Sequence, residues 1–414
     1  MPVSPGPLSA LDGAPVRPPA PLGLRSLLAA VEDLSAELIA FRRDLHAHPE
    51  LAWTETRTTA VVAQRLASAG VEVELLPTSG LVATIGRAGP LVGLRADLDA
   101  LPVDDLTGDP WRSTVPGVAH ACGHDVHTAA LVGAGVALAD LHAAGQLPGR
   151  VRLVFQPAEE IMPGGAHEVM GSGAMADVDS VFALHCDPSL DVGRVGLREG
   201  ALTGAADALT VRLSGRGGHT SRPHLTEDLT YAVGVLITQL PSALSRRLDP
   251  RAGASLVWGR VQAGVTHNVI PAAGEMSGTL RMLDVAAWHE SEQLVRTLIR
   301  ELVVPYGVTT EVTYVRGVPP VVNAAAATAV LRAAAVDVLG PDAPASTSQS
   351  LGGEDFAWYL ESVPGAMGRL GTRTPGGRTY DLHQGSLRIN EQAVGGGAKL
   401  LAAAALRAME AEIR

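Results

Sequence analysis

The sequence has few aromatic residues, few cysteines and no cluster of basic residues, and each shortage argues against a class of protein. Aromatic residues make up 3% of the 414 residues although 46% are hydrophobic, so Ala, Val and Leu must fill the core. Two cysteines cannot form a disulfide framework. The formal net charge is −11, which argues against nucleic acid as a partner, because phosphate binding needs a basic face.

The sequence also lacks a segment that reads as a membrane span or a signal peptide. Its longest apolar stretch, residues 128–141, is too short to cross a bilayer. The first 22 residues are rich in Pro and Gly but show no basic start followed by an apolar run. We therefore interpret residues 1–22 as a disordered leader and expect a cytoplasmic protein with no membrane partner.

Hydrophobic spacing predicts an α/β domain in the first half of the chain. The length favours two domains. Apolar residues at helical spacing predict one amphipathic helix over residues 24–45. Short apolar runs then alternate with helical segments, which is typical of a mostly parallel sheet covered by helices. The predicted strands cover residues 71–75, 81–85, 91–94, 151–155 and 181–184, and the predicted helices cover residues 56–69 and 128–144.

A different pattern occupies residues 206–318. The order strand, helix, strand, strand, helix, strand predicts a ferredoxin-like α+β unit. Its strands are predicted at residues 208–213, 254–261, 275–283 and 308–315, and its helices at residues 225–246 and 286–305. Helices predicted at 324–339 and 391–412 then resume the first domain. We thus expect a domain formed by residues 23–205 and 319–414, interrupted by a second domain of residues 206–318.

Polar side chains that suit metal chemistry follow three predicted strands. Asp97 and Asp99 follow the strand at 91–94, Glu159 and Glu160 follow the strand at 151–155, and His185 follows the strand at 181–184. Open α/β sheets bind ligands at the carboxyl ends of their strands. These side chains are therefore expected to meet at one edge of the sheet.

The segment around Cys122 and His124 is the densest group of candidate ligands. A thiolate and an imidazole two residues apart can reach one divalent ion, and Gly123 between them permits a tight turn. The alternative is a buried cysteine beside a surface histidine. His120 and His127 are weaker candidates.

Cys186 is also a weak candidate ligand. It directly follows His185, so in an extended chain its side chain points to the opposite side. A disulfide between Cys122 and Cys186 is not expected in a reducing cytoplasm.

The adjacent carboxylates Glu159 and Glu160 suit a division of labour. One can bind a metal while its neighbour takes a proton from a water held there. An adjacent pair of glutamates on the surface is the alternative, but the position after a buried strand favours the first interpretation. Asp97 or Asp99 could be a ligand or an acceptor that orients a ligand histidine. By spacing alone, His383 reads as a surface histidine.

Taken together, these segments resemble the M20 metallopeptidases, and within them the amidohydrolase branch that includes hippurate hydrolases and auxin–amino acid conjugate hydrolases. The resemblance runs in the family's order from about residue 24 to the C-terminus. The matching segments are RRDLHAHPE (42–50), RADLDALP (95–102), HACGHD (120–125), QPAEE (156–160), GGH (217–219), NVIP (268–271), GTLR (278–281) and GGEDF (352–356).

The resemblance implies a site for two divalent ions, for which zinc, manganese or cobalt are the candidates. Glu159 would be the general base, His124 would bridge the ions, and Asp99 is counted among the catalytic residues. Where the wider family has a histidine this chain has Asp97, and Cys122 would supply the missing ligand. The implied metal ligands are Cys122, His124, Glu160, His185 and His383.

The resemblance also implies how substrate and subunits are arranged. His219, Asn268 and Arg281 on the interrupting segment would bind substrate, with Arg281 and Asn268 on its carboxylate and His219 on the carbonyl oxygen. That segment would form a homodimer, or a dimer of dimers, in which His219 enters the partner's active site. The expected reaction is hydrolysis of the amide bond of an N-acyl amino acid. A dipeptidase with the same site and a non-catalytic binding protein on a hydrolase scaffold are the alternatives.

Overall fold

The computed structural model describes residue 21 and residues 23–411. The predicted leader, residues 1–22, therefore lies outside the described residues except for Pro21. The helices are α1 (Leu24–Asp33), α2 (Ser35–Ala47), α3 (Thr56–Ser68), α4 (His124–Ala143), α5 (Ala166–Gly171), α6 (Leu229–Arg247), α7 (Val285–Val303), α8 (Ala325–Leu339), α9 (Ala357–Leu360) and α10 (Gln392–Glu410).

The strands form one large sheet, one four-stranded sheet and two short pairs. They are β1 (Val73–Leu75), β2 (Leu81–Ile85), β3 (Leu91–Asp97), β4 (Arg150–Gln156), β5 (Ser180–Asp191), β6 (Val195–Leu197), β7 (Gly200–Ala201), β8 (Ala205–Ser214), β9 (Gly218–His219), β10 (Ser255–Ala263), β11 (Val269–Ile270), β12 (Ala273–Met282), β13 (Thr309–Val318), β14 (Val322–Asn323), β15 (Pro344–Ser346) and β16 (Gly365–Arg373).

The large sheet has the order β1-β2-β4-β3-β5-β16-β6-β15. The pairs β4–β3, β3–β5, β5–β16 and β6–β15 are parallel, and the other three are antiparallel. The predicted α/β fold with a mostly parallel sheet is confirmed, with the antiparallel pairs lying away from the centre of the sheet.

Helices cover both faces of this sheet. In β4, Leu153 packs into the core beneath α1–α4, α8 and α10, whereas Val154 packs into a second core with α5 and α9. Strands buried on both faces read as nearly continuous apolar runs, which is why the sequence revealed them. The helix α4 is long and apolar enough to span a membrane, but 78% of its most apolar window is buried inside the fold.

Residues 205–318 build the four-stranded sheet, in the order β10-β12-β8-β13 with antiparallel pairs throughout. In β8, buried side chains alternate with more exposed ones, so one face of the sheet carries the core. The helices α6 and α7 cover that face and share a hydrophobic core with it. The predicted element order βαββαβ is observed, while the assignment of domain boundaries and of a dimerisation role stays a prediction.

Two predicted elements differ most from the structure. The single helix predicted over residues 24–45 is two helices, α1 and α2, with a break at Leu34. Both helices pack their apolar side chains against α4 and α10 despite the break. Hydrophobic spacing alone therefore could not reveal the break. The strand predicted at 181–184 extends to Asp191, because β16 pairs with it along that length.

Candidate metal centre

Three neighbouring parallel strands bring their polar residues to one edge of the large sheet. Asp97 is the last residue of β3, and Glu159 follows β4, its neighbour on one side. His185 lies within β5, the neighbour on the other side, because that strand is longer than predicted. The predicted meeting of these strand ends is therefore observed.

A tight turn before α4 adds Cys122 and His124 to the same edge. Gly123 between them has a φ of 91°, in the left-handed region that favours glycine. A Cβ atom at this position would lie 2.8 Å from the Sγ atom of Cys186, so a larger residue would also clash. Both requirements explain the glycine that separates the two candidate ligands.

The five predicted metal ligands lie together. The Sγ atom of Cys122 is 3.5 Å from Nε2 of His185. The Oε1 atom of Glu160 is 3.8 Å from Nε2 of His124 and 3.5 Å from Nε2 of His383. Each of the five belongs to a group of three residues whose ligand atoms lie within 4.8 Å of one another. His383 keeps a half-exposed side chain, so its surface-like sequence context is compatible with a place in the cluster.

Hydrogen bonds orient the candidate ligands. Nδ1 of His124 is 3.3 Å from Oδ1 of Asp99, and the other oxygen of Asp99 accepts a hydrogen bond from the backbone N–H of Glu160. Nδ1 of His185 is 2.8 Å from the carbonyl oxygen of Cys186, which leaves Nε2 directed at the cluster. Asp99 is thus placed to position two candidate ligands at once, which is how acceptors behind metal-bound histidines act.

The cluster fits a divalent cation. Nε2 of His124 and Oε1 of Glu160 are buried and have no hydrogen-bond partner among the described residues, a costly state unless another group binds them. Burial lowers the pKa of His185, which keeps the imidazole in the neutral form that binds metals. The mixture of thiol, imidazole and carboxylate suits a borderline ion such as zinc.

The charge of the cluster also favours a cation. Burial lowers the pKa of His124, but the negative charges of Asp97 and Cys122 outweigh it and raise that pKa. Burial raises the pKa of the Cys122 thiol, so its thiolate needs a positive charge close by. A bound cation would take the place of the proton on His124 and stabilise the thiolate of Cys122.

Glu159 lies beside this cluster in a different environment. It shares one group of close ligand atoms with His124 and Glu160, and another with Glu354 and Asp355. Burial, followed by the charge of Glu354, raises the pKa of Glu159 well above its usual range. A buried carboxyl group next to a like charge binds a proton more readily than an exposed one.

Glu55 fixes the turn that presents Glu159, and sequence reasoning missed it. Its buried side chain accepts hydrogen bonds from the backbone N–H of Ala158, at 2.8 Å, and from the hydroxyl of Ser79, at 2.6 Å. Ala158 itself has a left-handed φ of 52°. Nothing in the local sequence of Glu55 indicates this role.

A buried arginine behind the cluster was also missed. The Arg95 guanidinium donates to Asp97 and to Asp355, both at 2.7 Å, and to the side-chain oxygen of Gln156 at 3.0 Å. The residues belong to segments that carry the family resemblance, but nothing in their spacing indicates that they contact each other. They connect β3 and β4 to the GGEDF segment.

Of the weaker candidates, His120 and Cys186 lie outside the described groups of close ligand atoms, whereas His127 shares one with Asp97 and His124. His127 uses both ring nitrogens: Nδ1 is 2.6 Å from Oδ1 of Asp97, and Nε2 accepts from the backbone N–H of Cys186 at 2.8 Å. His120 is buried, and burial lowers its pKa to about 4, but it belongs to none of the described ligand groups. The Sγ atom of Cys186 points at the carbonyl oxygen of Gly123, away from those groups.

The three predicted substrate-binding residues do not line one cavity. Arg281 lines a cavity of about 330 Å³ together with Cys122, Glu159 and His383. His219 and Asn268 do not line it. His219 is exposed, and its Nδ1 accepts a hydrogen bond from the backbone N–H of Ser221.

Comparison with known proteins places this site in context. An N-acetyl-L-cysteine deacetylase of Bacillus subtilis is 36% identical over 370 residues, which is 87% of this chain and 85% of that protein. A Rhodococcus jostii protein that carries the name of a glutamate–cysteine ligase is 50% identical over 369 residues, and the match spans 89% of this chain but 46% of that longer protein.

The fold comparison agrees with the sequence comparison. The crystal structure of a dinuclear metal-binding peptidase of the M20 family from Bacillus subtilis matches with a TM-score of 0.79 and 33% identity, covering 92% of this chain and 99% of that one. Residues 93–407 match the sequence profile described as Peptidase family M20/M25/M40. Since that match covers most of the chain, the protein belongs to the M20/M25/M40 peptidase family and is a hydrolase of that family.

Proposed function

We propose that this hydrolase cleaves the amide bond of N-acyl amino acids with the help of two divalent metal ions. The observation that carries the proposal is the buried cluster of thiol, imidazole and carboxylate groups with unpartnered ligand atoms beside a protonatable glutamate. The deacetylase name of the Bacillus subtilis relative supports the substrate class.

Cys122, His124, Glu160, His185 and His383 would hold the ions, of which zinc, manganese and cobalt are the candidates. When bound, the ions supply a Lewis acid and lower the pKa of water towards neutrality. Asp99 keeps Nε2 of His124 directed at the centre and holds the backbone of Glu160.

Glu159 acts as the general base. It accepts the proton of the attacking water and returns it to the departing amine, and burial, which raises the pKa of its carboxyl group, strengthens it as a base. Arg281, on the wall of the same cavity, binds the substrate carboxylate, for which a guanidinium is geometrically suited.

His219 and Asn268 complete the site from the partner subunit of a homodimer. Within one chain neither residue lines the cavity, which supports this arrangement. The strand β10 is a free edge of the four-stranded sheet and carries the exposed apolar residues Val257 and Val261, which supports an interface there. We place the enzyme in the cytoplasm, with no nucleic acid or membrane as partner.

A metal-supplemented assay on N-acetyl and N-benzoyl amino acids, scored by amine release, tests the proposal. We expect turnover that a chelator abolishes and that added metal restores. Full activity in the chelated protein would exclude the metal mechanism. Turnover of dipeptides in place of N-acyl amino acids would indicate a dipeptidase with the same site, and metal binding without any turnover would indicate a binding protein.

A further inference from the structure

A second cavity adjoins the candidate metal centre. It has a volume of about 590 Å³ and shares Ser350, Arg369 and Leu382 with the cavity that contains the candidate ligands. Cys186 and Gln384, which directly follow the candidate ligands His185 and His383, also line it. The two cavities are therefore contiguous, and a substrate in the first can extend into the second.

Arg369 stands where the two cavities meet, and its charge has no partner. It is half-buried in β16 and makes no hydrogen bond or ion pair with any described residue. In the parallel pair of β16 with β5 it is the register partner of His185, so both side chains project to the same face of the sheet. A partly buried guanidinium with unused donors is a ready binding group for a carboxylate.

The other charged groups of the second cavity are already engaged. Asp187 accepts hydrogen bonds from the backbone and hydroxyl of Ser189, and Asp381 accepts one from the backbone of Leu382. The Arg378 guanidinium lies over the Tyr380 ring, 5.1 Å from its centre. Two acidic residues balance two arginines, and of these four residues only Arg369 also lines the cavity that contains the candidate ligands.

We propose that Arg369 binds a second carboxylate of the substrate, in addition to the one held by Arg281, so that the preferred substrates are N-acyl amino acids with two carboxylates. This inference rests on the proposed function. The second carboxylate can belong to the side chain of the amino acid or to the acyl group. Two substrate pairs distinguish these sources.

The test uses pairs of compounds that differ only in charge. N-acetylglutamate is compared with N-acetylglutamine, and N-succinylmethionine with N-succinamoylmethionine. We expect the wild-type enzyme to favour the charged member of one pair, and Arg369→Met to raise its KM by about 10- to 100-fold with little change in kcat, because a charge-assisted bond to a carboxylate is lost. The neutral member should be affected much less, and Arg369→Lys should restore part of the preference.

Binding is measured separately by calorimetry in the Glu159→Gln background, so that the inference has a readout besides turnover. Arg373→Met is the matched control, because Arg373 lies on the same strand but donates to Asp191 outside both cavities. Equal binding and turnover of both members of each pair, or equal loss of both in Arg369→Met, would overturn the role of Arg369. Binding that depends on Arg369 without hydrolysis of any compound would instead refute the proposed function and leave the carboxylate site standing.

Discussion

Glu159 and Glu160 are adjacent in sequence but face different surroundings. Glu160 lies among His124, His383 and Cys122, whereas Glu159 lies towards Glu354 and Asp355. Glu160 is therefore the glutamate with more candidate ligands around it, and Glu159 the one with more acidic groups around it. The sequence alone predicted both roles through the family resemblance, but it gave no physical reason for which glutamate takes which.

Substitution of the two glutamates should give different defects. Glu159→Gln should keep its metal content and lose turnover by ~10²- to 10⁴-fold, because only the base is removed. Glu160→Gln should lose metal affinity, because its side chain contacts two candidate ligand histidines. Metal analysis and steady-state kinetics on both variants check this expectation, and an exchange of the two phenotypes would contradict the assigned roles.

The two cysteines provide a second comparison at the residue scale. Both are buried, but only Cys122 belongs to a described ligand group. Cys122→Ala should lower the metal content of the purified protein, as should His124→Ala, and Cys186→Ala should leave it nearly unchanged. Equal metal loss in both cysteine variants would show that the effect comes from packing and not from coordination.

At the scale of elements, the turn between Cys122 and α4 requires glycine at position 123. Gly123→Ala should lower the free energy of unfolding by about 1–3 kcal/mol, because it combines a left-handed φ with a clash against Cys186. Gly145→Ala is the matched control: Gly145 also has a positive φ but no atom within 4 Å of the added Cβ. Denaturant unfolding should show a smaller loss for Gly145→Ala, and equal losses would rule out the steric contribution.

His127 connects α4 to both β3 and β5 through its two ring nitrogens. His127→Phe would leave Asp97 and the backbone N–H of Cys186 without these partners, and the backbone next to His185 would be less well fixed. We expect metal affinity to fall by about 10- to 100-fold, as for other residues that support metal ligands. Zinc titration against a chelating indicator measures the change. His142→Phe, on the last turn of the same helix, should retain full affinity, and retention by His127→Phe as well would contradict the positioning role.

Hydrophobic patterning was sufficient for the central strands and for the order of elements in residues 205–318, because burial there follows the local period. It failed where tertiary pairing decides the structure. The polar end of β5 is a strand only because β16 lies beside it, and the break at Leu34 leaves the apolar spacing unchanged. Neither the extension of β5 nor the break at Leu34 can be predicted from the local sequence.

At the scale of the whole molecule, residues far apart in sequence complete the site. Arg95 contacts Asp355 across 260 positions, and Glu55 contacts Ala158 across 103. Such contacts depend on the strand order of the large sheet, so they could not be read from spacing. The family resemblance supplied the ligand set but none of these supporting contacts.

The proposed role of the partner subunit can be tested by complementation. In a mixture of Glu159→Ala and His219→Ala subunits, one site of each heterodimer would carry both lesions and the other neither. Activity should approach about half the wild-type value per heterodimer, from counting intact sites in a two-fold dimer. Each variant alone should stay inactive under the same exchange conditions. Heterodimers that form and remain inactive would show that His219 works within its own chain or is not catalytic.

The strand order of the large sheet also bears on how the chain folds during synthesis. The strand β5 pairs with β16, which follows the whole of residues 205–318, whereas the four-stranded sheet pairs only within that segment. We expect the intervening segment to become compact on the ribosome first, since its contacts close shorter loops. Until β16 is synthesised, the large sheet stays incomplete and one edge of β5 stays unpaired. The nascent chain would contain four of the five proposed metal ligands early, and the set would be complete only near the end of translation, when His383 has emerged.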